Sequence, residues 1–411
     1  MTEGETFNDP SISRPARKIL ESYRKCVFAE MYYLRDNGGR RYKVTDGQLI
    51  GRSGEGFAYS FNLEAELFLS EDAPITVTVG NESAKGSVLA CEDFQILAIL
   101  ESSLGDRIST GFVSVEPWKL LESLNARLAT ITHRGNPIAL KFVEEGPQLR
   151  TNDPIEGVDS GQAAAIEHAL RDQITVIWGP PGTGKTHTMA DIAIRLLSMG
   201  KTVLAVSHSN ISVDGVVSKV AELMRNRGLD DQLARGDVMR FGHVRDEALA
   251  RDVDVVSYNA ALKGRPADAA KLKRLLDEKD ELRKDGGFRS DRRVKVEQEI
   301  KRIKKNVAES EKKCVEKAKF VATTVSRLYA NKLFEDKRYD VVMFDEVSMA
   351  YVPQVICAAM FAREKLVCVG DFRQLAPIAQ GKSSKAVLSH DVFWYLAYAT
   401  RGSRPIIILG S

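Results

Sequence analysis

Within eight residues, Gly179-Pro180-Pro181-Gly182-Thr183-Gly184-Lys185-Thr186 brings together three glycines, a lysine and two hydroxyls. The segment follows the apolar run Ile174–Trp178 and precedes a stretch with Ile192, Ile194 and Leu197 at helical spacing. In a strand–loop–helix setting, such glycines let backbone N–H groups turn inward around phosphate oxygens. The helix N-terminus adds its partial positive charge. Lys185 then reaches the β- and γ-phosphates, and the Thr186 hydroxyl ligates Mg²⁺. The pattern predicts a nucleotide site with ATP and Mg²⁺ as cofactors, bound by Gly179, Pro180, Gly182, Thr183, Gly184, Lys185 and Thr186.

Two further groups suit the same chemistry. Val341-Val342-Met343-Phe344 runs into Asp345-Glu346, which places two carboxylates at the C-terminal end of a buried strand. Ligands of parallel α/β sheets bind at that end. Asp345 is expected to hold Mg²⁺ and Glu346 to polarise the attacking water. The next apolar run, Leu366–Val369, ends in Gly370-Asp371-Phe372-Arg373-Gln374-Leu375-Ala376-Pro377, where Gln374 is placed to sense the γ-phosphate or the water. Lys185, Glu346 and Gln374 form the predicted catalytic set.

The elements that must carry these groups differ along the chain. Residues 11–35 read as a helix, with Ile19, Leu20, Tyr23, Val27, Met31 and Leu34 at helical spacing. Short alternating runs follow: Arg41–Val44, Phe57–Leu69, Ile75–Val79, Ser87–Cys91, Phe94–Leu100 and Gly111–Val115. Turn residues such as Asp46-Gly47 separate them, which predicts a small β-barrel. A helix from Trp118 to about Ile131 returns from it, so the barrel is read as mounted on a stalk. Beyond residue 155, near-continuous apolar runs alternate with helices: Ile174–Trp178, Val203–Val206, Val238–Phe241, Phe320–Thr323, Val341–Phe344, Leu366–Val369 and Ile406–Leu409. Runs of this kind suit a parallel sheet covered on both faces.

One segment interrupts that pattern. Residues 267–318 are charged and helical in character, broken at Gly286-Gly287. Val296, Ile300, Ile303, Val307 and Cys314 make a seam on the second arm. Leu272, Leu275, Leu276 and Leu282 are placed to face it. The expected organisation is a stalk helix at 1–40, a barrel at 41–115 and a returning helix and linker at 116–150. An α/β ATPase domain follows at 151–263 and 319–411, with a helical hairpin inserted at 264–318.

Composition narrows the setting. A hydrophobic content of 44% with 28% charged residues is ordinary for a globular chain, and no apolar run nears the roughly 18 residues that cross a bilayer. No membrane partner is expected. Cys26, Cys91, Cys314, Cys357 and Cys368 include no CxxC pair, which points to a reducing compartment rather than a disulfide framework or zinc site. The expected location is the cytoplasm, with the nucleus open for a eukaryotic chain. Net charge is only +3, yet 265–319 holds 19 Lys and Arg against 12 Asp and Glu. Such a local excess is either a nucleic-acid footprint or, more commonly, a solvated helical face, with a partner-binding surface as a further reading.

Together these segments resemble superfamily 1 helicases, in the branch of the nonsense-mediated-decay RNA helicase and senataxin. Gln162 sits upstream of the phosphate loop like that family's adenine-reading glutamine. Ala205–Asp214 is similar to motif Ia, Val321–Ser326 to the ATTxS segment, Asp345–Ser348 to the DEAS form of motif II, and Gly370–Pro377 to motif III. The resemblance implies a P-loop RecA-like sheet, a stalk-mounted barrel and a helical insertion. It also implies single-stranded RNA or DNA as partner and 5′-to-3′ movement. Ser207, Ser209, Asn210, Thr323 and Thr324 are alone ordinary loop or cap residues. The resemblance assigns them to phosphate contacts, which need donors rather than base-reading groups.

Motifs IV, V and VI of the family have no counterpart in these 411 residues. In that family a second RecA-like domain supplies arginines to the transferring phosphate. Such groups are worth roughly 10³–10⁵ in rate. The chain is therefore expected to bind ATP far better than it hydrolyses it. The second domain is expected in the full-length chain or in another subunit. The competing expectation is an ATP-gated regulatory or scaffold subunit of a nucleic-acid-associated complex, docking a partner through the hairpin.

Overall fold

In the computed structural model, the alternating runs close into a six-stranded antiparallel barrel. Its strands are β1 (Arg41–Ser53), β2 (Gly56–Leu63), β3 (Pro74–Val79), β4 (Glu82–Glu92), β5 (Gln95–Leu100) and β6 (Arg107–Val115). Their order is β1-β2-β5-β4-β3-β6, and β6 returns to pair with β1. The structure describes residues 9–37, 41–53, 56–64, 74–92, 94–115, 118–145, 161–242, 244, 246, 248–284, 291–374, 376–399 and 407–408. Inward positions alternate, so Val44, Tyr59, Phe61, Val77, Val88, Ala98 and Val113 fill the barrel. The buried Tyr59 hydroxyl donates to the Gly105 carbonyl at 2.8 Å and accepts from the Leu104 N–H at 2.9 Å, satisfying its polar tip.

Asp46-Gly47, expected as a turn, instead lies inside β1. Asp46 adopts a φ of +53°, and the pairing register shifts between Thr45 and Gln48. A bulge of this kind bends a strand without ending it, as barrel closure requires. β2 stops at Leu63, and residues 65–69 of the expected run lie outside the described residues.

The charged insertion forms two helices, Pro266–Lys284 and Asp291–Lys317. Val296, Ile300, Ile303 and Val307 are buried along the second. The first contributes less than its leucines suggest, because Leu272 is buried but Leu276 is exposed. Cross-helix pairs tie the arms: Lys271 to Glu299, and Arg292 Nε to Glu278 at 2.6 Å. Val294 buries itself against Ala58, Leu97 and Ile99 on the outside of the barrel, with Ile50 at the margin. Full burial of such a side chain stabilises by roughly 1.5–3 kcal/mol. Leu34–Pro117 and Leu262–Ser310 accordingly form one compact unit.

The other unit comprises Met1–Tyr33, Trp118–Ala261 and Glu311–Ser411. Its strands are β7 (Ile174–Trp178), β8 (Val203–Ser207), β9 (Val238–Arg240), β10 (Phe320–Thr324), β11 (Tyr339–Asp345), β12 (Ala362–Gly370) and β13 (Ile407–Ile408). All seven expected runs enter one parallel sheet, in the order β13-β7-β12-β11-β8-β10-β9. This is the RecA-like α/β fold expected above. Helices Lys185–Ser198 and Asn210–Asn226 contribute Ala190, Ile192, Val213 and Val217 to a core shared with the strands. The stalk helices Arg14–Asn37 and Trp118–Ala129 are joined by an Arg24–Asn125 hydrogen bond of 3.1 Å.

A further helix, Pro137–Glu144, was not anticipated; Pro137 begins it, where a missing N–H costs nothing. It is anchored by Asn136 donating to the Met360 carbonyl at 2.9 Å and by Tyr395 donating to the Val143 carbonyl at 3.1 Å. Among the described residues, no helix is long and apolar enough to cross a membrane. Register aligns the functional strand ends: Asp345 stands opposite Ser207, Thr324 opposite Ser207, and Gly370 opposite Trp178.

Candidate nucleotide and strand-contact site

The glycine-rich loop leaves β7 at Gly179, whose N–H donates to the Gly370 carbonyl of β12 at 3.2 Å. Gly184, at the start of helix Lys185–Ser198, has φ +82°, which side chains rarely adopt. A Cβ there would also lie 2.5 Å from Gln162 Nε2. The Gln162 amide donates to the Thr183 carbonyl at 2.9 Å, and the Thr183 hydroxyl to the Pro180 carbonyl at 2.8 Å, so the loop is braced from both sides. Lys185 Nζ donates to the Gly179 carbonyl at 2.9 Å, which holds the ammonium across the loop. Thr186 is half-buried in the first helical turn.

Beside the loop, Asp345 ends β11 and is 5% exposed. Burial first, and then the negative charge of Glu346, raises its pKa to about 7, against the opposing influence of Lys185. Glu346 adopts a left-handed φ of +51°, a strained backbone of order 1–3 kcal/mol for a non-glycine residue. Asp345 Oδ1 and Glu346 Oε2 are both buried and lack hydrogen-bond partners among the described residues. Two oxygen donors in need of a counter-charge suit a hard divalent cation. No group of three or more metal-ligating side chains occurs among the described residues.

The segment after β12 closes the other side. Trp178 Nε1 donates to Asp371 Oδ1 at 2.8 Å, and the Arg373 N–H donates to the same oxygen at 3.0 Å. Burial pushes the Asp371 carboxyl up. The bonds from Trp178 and Arg373, with Lys185 nearby and the Gln374 amide, bring it below its ordinary value. Gln374 is thus held through Asp371. Phe372 packs 4.7 Å from Trp178, with the Arg373 guanidinium 5.3 Å over the indole. Farther along, buried Glu30 of the first stalk helix accepts from the N–H groups of Gln380 and Gly381 at 2.8 and 2.9 Å and from the Ser384 hydroxyl. It caps helix Lys382–Leu388 and anchors the segment that follows Gln374.

At the ends of β8 and β10, the polar residues are put to different uses. The Ser209 hydroxyl accepts from the Ser212 N–H at 3.2 Å, and the Thr324 hydroxyl from the Arg327 N–H at 3.4 Å; each caps a helix. Ser207 and Thr323 are buried, and their hydroxyls lack partners among the described residues. Asn210 Oδ1 accepts from Arg240 at 2.8 Å. That arginine is fully buried and bonded through Nε to the equally buried Asp214 at 2.7 Å. Sequence reasoning missed Arg240 and Asp214, as well as Trp178, Asp371 and Glu30. A lone charge inside an apolar run, as in Val238-Met239-Arg240-Phe241, was the available signal for Arg240.

A family model described as an AAA domain matches residues 157–382, which include the loop, the acidic pair and the Asp371 segment. The chain belongs to that family. Within superfamily 1 helicases it falls in the Upf1-like branch. It is 26% identical over 344 residues to DNA polymerase alpha-associated DNA helicase A of Saccharomyces cerevisiae, covering 74% of this chain and 48% of that protein. Over 239 residues it is 28% identical to the ATP-dependent helicase NAM7 of the same yeast, covering 57% and 22%. The Regulator of nonsense transcripts 1 homolog of Drosophila melanogaster is 28% identical over 261 residues, covering 63% and 20%. The chain therefore spans about half or less of the length of these helicase relatives.

Proposed function

We propose that this helicase-family chain is the ATP-binding portion of a 5′-to-3′ single-strand translocase, the first of two RecA-like walls. The observation that carries the reading is a pair of buried carboxylate oxygens, Asp345 Oδ1 and Glu346 Oε2, without hydrogen-bond partners among the described residues. In this assignment Lys185 leaves the Gly179 carbonyl to bind the β- and γ-phosphate oxygens, while loop N–H groups hold the rest of the chain of phosphates. Gln162 reads the adenine edge. Thr186 and Asp345 would hold Mg²⁺, which when bound neutralises charge on the phosphates. Glu346 accepts a proton from the attacking water and Gln374 orients that water. A second RecA-like wall outside these 411 residues contributes the arginines that complete turnover.

The test is nucleotide titration. Lys185→Ala should weaken ATP binding by about 100-fold or more, equivalent to about 2.7 kcal/mol. Glu346→Gln should leave ATP affinity within about twofold and block turnover in the complete enzyme. Undiminished affinity of Lys185→Ala would remove the site assignment. Strong strand-stimulated turnover by these 411 residues alone would remove the second wall from the scheme.

A further inference from the structure

The proposed function leaves the other edge of the parallel sheet, where its strands begin, without a role. Arg338 leads into β11 and Arg363 lies at the start of β12. β11 is seven residues long, so at about 3.3 Å per residue this edge stands about 20 Å from Asp345. Phe361, just ahead of β12, is buried. The Arg338 guanidinium lies 5.3 Å from the centre of its ring. That of Arg127, from the last turn of helix Trp118–Ala129, lies 5.6 Å from the same point. The two cations therefore stand within the sum of those distances of each other. Their convergence also shows at the buried Cys357: burial pushes its thiol up to about 12, and the charges of Arg127 and Arg338 both oppose that rise.

Among the described residues, neither Arg127 nor Arg338 forms an ion pair. Arg338 Nη1 donates to the Glu335 and Lys337 carbonyls at 3.2 and 2.9 Å, which fixes the fork without neutralising it. Burial lowers the Arg338 pKa below its ordinary value and the positive charges of Arg127 and Arg363 lower it further, while Asp336 and Cys357 oppose them through space. Arg363 is exposed and meets Asp340 only at 3.8 Å, beyond hydrogen-bond reach. Asp340 Oδ2 already accepts from the Thr202 N–H and hydroxyl, each at 2.8 Å. One cation against Phe361 gives the ring its favourable contact; a second beside it adds repulsion. As packing alone the arrangement is costly, but guanidinium forks held in place match carboxylates bidentately with little further loss of freedom.

The surroundings select among anions. Glu335, Asp336, Asp340 and Glu364 all lie within three residues of Arg338 or Arg363 in the chain, so an extended polyanion such as a nucleic-acid strand would meet like charge on either side. Phe361 is buried and offers no face on which a base could stack. A side-chain carboxylate meets neither obstacle. We infer that Arg127, Arg338 and Arg363 form a docking site for a carboxylate-rich segment of a protein partner, Arg127 and Arg338 clasping one carboxylate and Arg363 taking a neighbouring one. The site stands apart from the nucleotide edge and draws on no part of the proposed ATP chemistry.

The test titrates the 411-residue chain with a fluorescent, end-capped hexaglutamate peptide over a range of salt, with oligo(U) as competitor. Hexaglutamate should bind, more weakly as salt rises, and a hexaglutamine control should not. Arg127→Ala should weaken binding by about tenfold, and the exposed Arg363→Ala, which disturbs no packing, by about threefold. Arg127→Lys should recover only part of the loss, because an ammonium lacks the fork. ATP affinity should be the same in all three variants, and oligo(U) should not displace the peptide. Failure of the unsubstituted chain to bind hexaglutamate, or undiminished affinity in either alanine variant, would overturn the inference. Displacement of the peptide by oligo(U) would overturn it too, by making the arginines a nucleic-acid contact.

Discussion

Along one edge of the parallel sheet, buried charge is handled in two ways. At the end of β11, Asp345 and Glu346 keep carboxylate oxygens buried without partners. At the ends of β8 and β9, the Arg240 and Asp214 side chains are buried at least as deeply, yet bonded at 2.7 Å and extended by Asn210 and Asp246. The first arrangement is costly until a cation arrives, because desolvation opposes the charged form and the two acids repel. The second is internally satisfied and builds shape rather than awaiting a ligand. One end of the edge lacks a counter-charge; the other is braced from within.

The sharpest way to break this contrast is to remove Asp214. Asp214→Ala leaves Arg240 charged and buried, and should destabilise the chain by about 3–5 kcal/mol, read from urea unfolding. A loss below about 1 kcal/mol would mean that the pair is not the scaffold described. The opposite sign is expected next door. Asp345→Asn removes an unpaired buried charge and should stabilise the Mg²⁺-free chain by about 1–3 kcal/mol, while abolishing any gain in ATP affinity on adding Mg²⁺. If Asp345→Asn destabilises instead, the carboxylate has a structural partner and the contrast collapses. The smallest effect concerns the cap. Ser209→Ala should cost about 1 kcal/mol of stability and leave strand affinity nearly unchanged; a large loss of binding would move Ser209 from cap to contact.

The phosphate loop was readable because its geometry is set by neighbours in the chain: left-handed glycines, an apolar strand before, a helix after. Asp345 was readable for the same reason, as the residue where an apolar strand meets the sheet edge. Capping by Ser209 and Thr324 follows the ordinary preference of hydroxyls just ahead of helices. That reading was the bland alternative in the sequence, and the fold places both hydroxyls there. What could not be read joins distant positions. Glu30 meets Ser384, Trp178 meets Asp371, and Val294 meets the outer wall of the barrel. The Asp46-Gly47 bulge likewise depends on β1 pairing with two neighbours at once.

The chemistry of the nucleotide side was therefore specified by local order: residue types, their spacing, and the backbone angles that glycine permits. Which charged groups end up satisfied was decided by the folded chain. A lone arginine in an apolar run and an aspartate in the following helix of another strand carry no mark of their pairing. Only packing that removes water from both makes their mutual bond decisive, and only the same packing leaves Asp345 Oδ1 without a partner among the described residues. Local sequence can name a carboxylate; burial and register determine whether its oxygens find a partner within the chain.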